Sequence, residues 1–331
     1  MKRLGCLLLA LVLLTGCGAG RTEAKRYEAT FLDLFDTVTT VVGYAESEEA
    51  FRQTAQTVHD ELETYHRLFD IYNEYPDMNN LKTVNDRAGQ EAVAVNRKIL
   101  DLLLFCRDME QTTGGMVNVA MGSVLSLWHE ARSEGVSLPD GEALQAAAAH
   151  TDLENMILDT ENGTVRFADP ALKLDVGAVA KGYAAEQVCR TLPAGLMVSV
   201  GGNVCCTGSK PDGGSWGIGL QDPDGEGYLC VVQVEQTSVV TSGDYQRYYT
   251  VDGVRYHHII DPQTRMPADK WRAVTVICAD SGVADALSTA LFLLPQAEGQ
   301  KLLDQFGAEA MWLDGGGNRY YSPGFEGLMK K

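Results

Sequence analysis

The chain has 331 residues, 45% of them hydrophobic and 22% charged, which are ordinary globular values. A formal net charge of −18 argues against a nucleic-acid partner, because a phosphate backbone is repelled by such a surface. About 310 residues follow Cys17, enough for one large domain or two moderate ones.

Met1-Lys2-Arg3 gives a short basic start, and Leu4 to Leu14 form an apolar run too short to span a bilayer. The run ends in Leu14-Thr15-Gly16-Cys17, which resembles the lipobox of bacterial lipoproteins. Residues 1–16 are therefore expected to leave as a signal peptide. Cys17 then carries the lipid that holds the protein on the extracytoplasmic face of the cell membrane. Residues 17–26, small and polar, read as the lipidated terminus and tether, and 27–331 as one folded domain. Of the eight cysteines, Cys6 leaves with the signal. Cys106, Cys189, Cys205, Cys206, Cys230 and Cys278 show no C-x-x-C and no zinc-like pairing with histidine. They read as buried thiols, with disulfide formation left open; the adjacent Cys205 and Cys206 would face opposite sides of a strand.

Tyr27 to Ala45 predicts two strands joined around Phe35-Asp36-Thr37. From Ser47, the spacing of Phe51, Val58, Leu62 and Tyr65 predicts an amphipathic helix running towards Phe69. Asn96 caps a second helix bearing Ile99, Leu102, Leu103 and Cys106, which Thr113-Gly114-Gly115 stops. Short helices follow over Val119 to Arg132 and Glu142 to His150. Met156 to Phe167 predicts a hairpin with a type I′ turn at Asn162-Gly163. Leu172 to Asp175 reads as a short strand feeding a helix from about Ala178. Strands are expected at Met197–Val204, Trp216–Leu220, Tyr228–Val234, Tyr245–Thr250, Val254–Ile260 and Val274–Ala279. A helix begins at Ser281, another covers Gln300 to Phe306, and a hairpin closes around Asp314 to Gly317. Helices come first and strands later without β-α alternation, so the fold class is α+β with mixed, mainly antiparallel sheets flanked by helices.

Three segments carry chemistry. Asp285 and Thr289 lie four apart on a helix and offer two hard oxygen ligands on one face, a pattern suited to magnesium. Taken alone, the same pattern is what a helix dipole and a back-bonded threonine produce. Asp175 closes a strand, Gly177 lets the chain turn, and Lys181 follows in the first helical turns, aiming amides and a cation at an anion. Neither a P-loop nor a Rossmann fingerprint is present. His258 ends a strand, and His257 must face away from it, so only one of the two serves a given site. The stretch Thr241-Ser242-Gly243-Asp244-Tyr245 reads as a polar loop beside them.

Asp175-Val-Gly-Ala-Val-Ala-Lys181-Gly-Tyr183, Val200-Gly201-Gly202-Asn203, Gly208-Ser-Lys-Pro211, Thr241 to Tyr245, His258-Ile-Ile-Asp-Pro262 and Ala284-Asp285…Thr289 occur in that order. Nearly throughout the mature chain this set resembles the ApbE family of FAD:protein FMN transferases, whose members are commonly exported lipoproteins. The resemblance implies FAD as substrate and Mg2+ as cofactor. It places Asp175 and Lys181 against FAD, Ile260 along the flavin pocket, and Tyr72 (alternatively Tyr75) over the isoalloxazine. Asp285, Thr289 and the carbonyl of Ala178 would hold the metal, and His258 would take the acceptor hydroxyl proton. Three departures stand out. Phe35-Asp36-Thr37 replaces Met-Gly-Thr, Met116-Val117-Asn118 replaces an aromatic-plus-aspartate pattern, and Arg265 takes a usual glycine place. FAD contacts at Phe35, Met116, Val117 and Asn118 are expected to differ accordingly.

The implied reaction moves FMN from FAD to a client threonine and releases AMP. Extracytoplasmic subunits of ion-pumping redox complexes and electron-transfer flavoproteins are the implied clients. A magnesium-dependent FAD pyrophosphatase and a non-catalytic FAD-binding lipoprotein are the alternatives. His258 together with Asp285 and Thr289 favours catalysis.

Overall fold

The computed structural model describes residues 24–330, so Cys17 and the leader before it lie outside the described residues. The chain opens with a hairpin, β1 (Lys25–Leu34) and β2 (Thr37–Ala45), that turns through Phe35 and Asp36 at φ 53° and 51°. β1 starts inside the stretch read as a tether, because Lys25 and Arg26 already pair with Ala45 and Tyr44. Ser47 caps α1 (Glu48–Phe69) by accepting from the Ala50 N–H, and the predicted stripe of Phe51, Val58, Leu62 and Tyr65 is buried. Next come α2 (Leu81–Asp86), β3 (Val93–Ala94), and α3 (Arg97–Thr112) with its Asn96 cap. α4 (Gly122–Glu134), α5 (Gly141–Ala148), the hairpin β4 (Met156–Asp159) and β5 (Thr164–Phe167), and α6 (Ala180–Cys189) complete the first half.

The second half is β-rich. It runs β6 (Met197–Val200), β7 (Asn203–Cys206), β8 (Trp216–Gln221), β9 (Tyr228–Val234) and β10 (Ser238–Gly243). β11 (Tyr248–Val251), β12 (Val254–His257) and β13 (Ala273–Cys278) lead into α7 (Ser281–Leu293) and α8 (Gln296–Phe306). β14 (Glu309–Leu313) and β15 (Arg319–Tyr321) close the fold.

One eight-stranded sheet, ordered β1-β2-β6-β7-β10-β13-β14-β15 and antiparallel at every pairing, joins both ends of the described chain. That closure explains why no linker divides the sequence. Val41, Val198, Val240, Val274 and Val276 face one side, in the cluster built with α1, α3, α6 and α7. Val42, Val204, Val239, Ile277 and Met311 face the other, under the β8–β9 hairpin. Cys205 and Cys206 obey the same alternation and fall into opposite clusters. Trp312 and Phe292 are completely buried, each contributing about 1.5–3 kcal/mol or more through removal from water. A third cluster of Met121, Val124, Trp128, Leu144, Tyr249 and Ile260 clamps α4 and α5 to the β11–β12 hairpin. The indole N–H of Trp128 donates to the Arg265 carbonyl at 2.9 Å across that seam.

Several expectations are corrected. Thr241 to Gly243 is the end of a central strand, β10, and not a loop. It escapes sequence recognition because its Ser242 hydroxyl meets Ser288 Oγ at 2.8 Å, where an apolar residue would be expected. Leu172–Asp175 forms no strand. Only an isolated bridge between Lys173 and Met121 exists, and α6 starts at Ala180. Met197 to Val204 is two strands, reversed at Gly201 and Gly202 with φ 59° and 91°. The β4–β5 connection spans four residues, with Gly163 alone at positive φ, because Asp159 Oδ1 accepts from both the Glu161 and Asn162 N–H groups. The six described cysteines are free thiols. Among the described residues no helix is long and apolar enough to cross a membrane.

Candidate functional site

A cavity of about 760 Å³ opens between the α6–α7 wall and the α4 and β11–β12 wall, within the ~300–1,000 Å³ typical of ligand pockets. Asp285 sits one turn into α7, whose Asp280 cap accepts from the Val283 N–H. It is nearly buried at 4% exposure, and its Oδ2 accepts from the Gly182 N–H at 2.8 Å. Gly182 makes this approach possible, since a Cβ there would lie 2.4 Å from both Asp285 Cβ and the Ser281 carbonyl oxygen. Lys181 Nζ stands 4.0 Å from the same Oδ2. Burial pushes the Asp285 carboxyl above its ordinary pKa, against the pull of Lys181 and the Gly182 amide. One turn on, Thr289 Oγ1 lies 3.5 Å from Ser242 Oγ and lines the cavity with Ala178. Asn203, at the start of β7, is buried beside them, and its side-chain amide is close enough to Asp285 to favour the ionised carboxylate. A buried carboxylate, a hydroxyl and a nearby carbonyl are hard oxygen donors with acceptor capacity to spare, so the residues present fit a small divalent cation.

His258 is held from behind. Its backbone N–H and its ring Nδ1 both meet the Arg247 carbonyl, at 3.1 and 3.2 Å. A carbonyl only accepts, so Nδ1 carries the proton and Nε2 keeps a free lone pair. Burial in the cavity wall, helped by the charges of Arg247 and Lys181, pushes the imidazole down to about 3, so it is neutral at neutral pH. His257 points the other way. Its Nε2 donates to the Ala268 carbonyl at 2.7 Å and its Nδ1 accepts from the Ile259 N–H, a fully satisfied structural ring.

Asp175 reaches the opposite side of the cavity, its Oδ1 accepting from the Gly177 N–H at 2.9 Å. Gly177 has no positive φ; its use is to present that amide where a side chain would crowd Asp175 Oδ1 at 3.1 Å. Burial raises the Asp175 carboxyl. Tyr72 lines the cavity at 55% exposure and lies over His129 with ring centroids 5.5 Å apart. Its loop is fixed by Asp70, which accepts from the Tyr72 and Asn73 N–H groups and from the Tyr75 hydroxyl at 2.8 Å. Tyr75 is thereby turned into the loop, and of the two tyrosines Tyr72 is the one that lines the cavity.

Phe35 lines the cavity from its left-handed turn, anchored by its N–H to His66 Nδ1 at 3.2 Å. Ile260, Met116, Val117 and Asn118 also line it. The Asn118 side chain is spent on its own loop, donating to the Thr151 carbonyl and accepting from the Ala120 N–H, which leaves backbone there for a ligand. Arg265 adopts φ 62°, the region that favours glycine, so the backbone here keeps the conformation a glycine would take although the residue departs from it. Every expected site residue among those described reaches one cavity. Arg132, Arg247 and His129 were missed, and Asn203 was read within a motif but given no role. Arg132 sits on a helix read only for its Trp128, Arg247 in a segment read as strand, and no motif marks either.

The family model described as "ApbE family" matches residues 35–312. The FAD:protein FMN transferase of Treponema pallidum is 32% identical over 336 residues, covering 94% of this chain and 90% of that protein. A Klebsiella pneumoniae protein of the same name is 33% identical over 253 residues, covering 72% and 78%. The crystal structure of the ApbE protein of Thermotoga maritima superposes with a TM-score of 0.84 at 29% identity, covering 93% of this chain and 100% of that one. The flavin transferase ApbE of Vibrio cholerae gives 0.79 at 25% identity, covering 92% and 99%. The chain belongs to the ApbE family.

Proposed function

We propose that this protein transfers the FMN portion of FAD to a threonine hydroxyl of a client protein and releases AMP. The observation that carries this reading is the convergence of Asp285, Thr289, Lys181 and a neutral His258 on one cavity. Mg2+, held by Asp285, Thr289 and the Ala178 carbonyl, would neutralise charge on the diphosphate. Lys181 adds a fixed cation beside Asp285. Tyr72, Ile260 and Phe35 offer apolar surface to the flavin ring.

His258 Nε2 takes the proton of the acceptor hydroxyl as that oxygen forms its bond to the FMN phosphorus. The bond from this phosphorus to the bridging oxygen breaks, and AMP leaves with the electron pair. Burial makes the free ring a weak base, and the negative charge of a bound diphosphate acts in the opposite direction and strengthens it. The Arg247 carbonyl holds the tautomer throughout.

We further infer that Cys17 is lipidated and tethers the domain to the extracytoplasmic face of the membrane. The test of the transfer is incubation with FAD, Mg2+ and a client domain carrying an acceptor threonine, read by in-gel flavin fluorescence. Fluorescence on the client is expected. Free FMN and AMP with an unlabelled client would establish hydrolysis instead, and unchanged bound FAD would establish storage. Cys17→Ala should move the protein from the membrane to the soluble fraction, and its retention on membranes would contradict the anchor.

A further inference from the structure

Two arginines face the cavity from separate elements and are absent from the chemistry above. Arg132 comes from the last turn of α4, and Arg247 from the β10–β11 connection directly behind His258. Neither has a carboxylate oxygen within 4.0 Å among the described residues. Arg132 is nonetheless half-buried, and its guanidinium is aimed by a hydrogen bond from Nη2 to His129 Nδ1 at 3.0 Å. His129 in turn lies against Tyr72, with ring centroids 5.5 Å apart. A partly desolvated cation such as Arg132 is costly without a partner, and the exposed Arg247 beside it adds like-charge repulsion. Burial and the charge of Arg247 both act to lower the Arg132 pKa, the direction expected of like charges sharing a small volume. Asp175 faces the pair without reaching hydrogen-bond contact, and Asp285, the other buried carboxyl of the cavity, stands beside Lys181 instead.

We propose that Arg132 and Arg247 are a two-armed clamp for the diphosphate of the dinucleotide, closing on it from the side opposite Asp285 and Lys181. The proposal rests on the transfer reading for the identity of its ligand. The geometry favours a resident of the cavity over an incoming protein side chain, because the half-buried Arg132 needs its counter-charge inside the pocket and not at the surface. Arg247 is placed for a second task. Its carbonyl fixes His258 while its side chain reaches the cavity, so the base and one anion-binding arm move together. The clamp would make the diphosphate, and not the flavin alone, the feature by which substrate is selected.

The test is equilibrium binding of FAD, FMN and riboflavin to the full-length protein without acceptor, with wild type compared against Arg132→Ala, Arg247→Ala and the double variant. Each single variant is expected to lose about tenfold in FAD affinity, and riboflavin affinity should change less than twofold. Arg247→Lys and Arg132→Lys should recover part of the loss, since they restore charge without the planar fork. Unaltered riboflavin binding also verifies that each variant is folded. Equal losses for riboflavin and FAD would overturn the proposal in favour of a packing role. Unchanged FAD affinity with a raised acceptor KM would overturn it in favour of client recognition. Because binding is measured without acceptor, a wild type that binds FAD through both arms yet labels no client would sink the transfer reading and leave the clamp standing.

Discussion

Replacing Gly182 by alanine isolates the contact on which the proposed cation site depends. The added methyl would lie 2.4 Å from Asp285 Cβ and 2.4 Å from the Ser281 carbonyl oxygen. Carbon atoms pack comfortably only at about 3.5–4.0 Å, so α6 and α7 must separate by roughly 1 Å at this crossing. Overpacking of this kind costs typically ~1–3 kcal/mol, which in a domain of this size lowers Tm by only a few degrees. The functional cost should be far larger. The Asp285 carboxylate would be carried away from Lys181 and Thr289, and a displacement of about 1 Å in a positioned group costs on the order of 100-fold in rate. Thermal unfolding, Mg2+ titration and client labelling should therefore separate, with a modest Tm loss, a weakened metal response and about 100-fold slower transfer. Gly315→Ala, where an added Cβ meets nothing within 4 Å, is the control and should behave as wild type. Wild-type labelling and an unshifted Mg2+ titration in Gly182→Ala would refute the reasoning.

Asp285→Ala should raise the Mg2+ concentration for half-maximal transfer by at least the ~10–100-fold that even outer partners of a metal contribute, and an unchanged titration would count against Asp285 as a ligand. His258→Ala should bind FAD but label no client; labelling at the parent rate would remove the ring from the mechanism. The same variant reports on pH. The folded-state value of about 3 lies below the ordinary 6.5, so this group's contribution to stability is complete above pH 6.5 and is lost as pH falls towards 3. Between pH 7 and 5 the apo variant should therefore lose less Tm than the parent, whereas equal losses would show that the ring titrates normally. Tyr72→Ala should weaken flavin binding, while Tyr75→Phe should leave it intact and cost about 1.5–3 kcal/mol of stability through the bond lost to Asp70. The opposite pattern would mean that the two tyrosines have been assigned the wrong way round.

Sequence reading reached the parts of this fold that obey local rules. Ser47 and Asn96 announce α1 and α3 by side-chain capping, and the 3.6-residue spacing of Phe51, Val58 and Leu62 is a burial pattern before it is a structure. Alternation likewise separates His257 from His258 and Cys205 from Cys206. Asp285 and Thr289 are visible as a pair because helical geometry alone puts them on one face. β10 was missed because its hydroxyls meet others across a packed interface, Thr241 with Thr275 and Ser242 with Ser288, so the strand lacks the apolar signature of burial. Asn203 was read in a motif without a role because only the reversal at Gly201 and Gly202 brings it to the cavity, where α6, β7 and α7 meet.

The groups that escaped share a physical reason. Folding alone gives no cause to leave Arg132 half-buried without a carboxylate partner or to bring Arg132 and Arg247 towards one another. Each departs from the rules by which a sequence announces its structure, and each departure is relieved by the same kind of guest. A diphosphate between the arginines supplies the missing counter-charge, and it also favours the protonated form of the His258 ring that is kept neutral in its absence. A cavity whose guanidinium charges are answered by one anion is stabilised by that anion, by an amount that grows with the logarithm of its concentration over its Kd. The ligand is therefore an overdue part of the fold, and the residues hardest to find from sequence are those that wait for it.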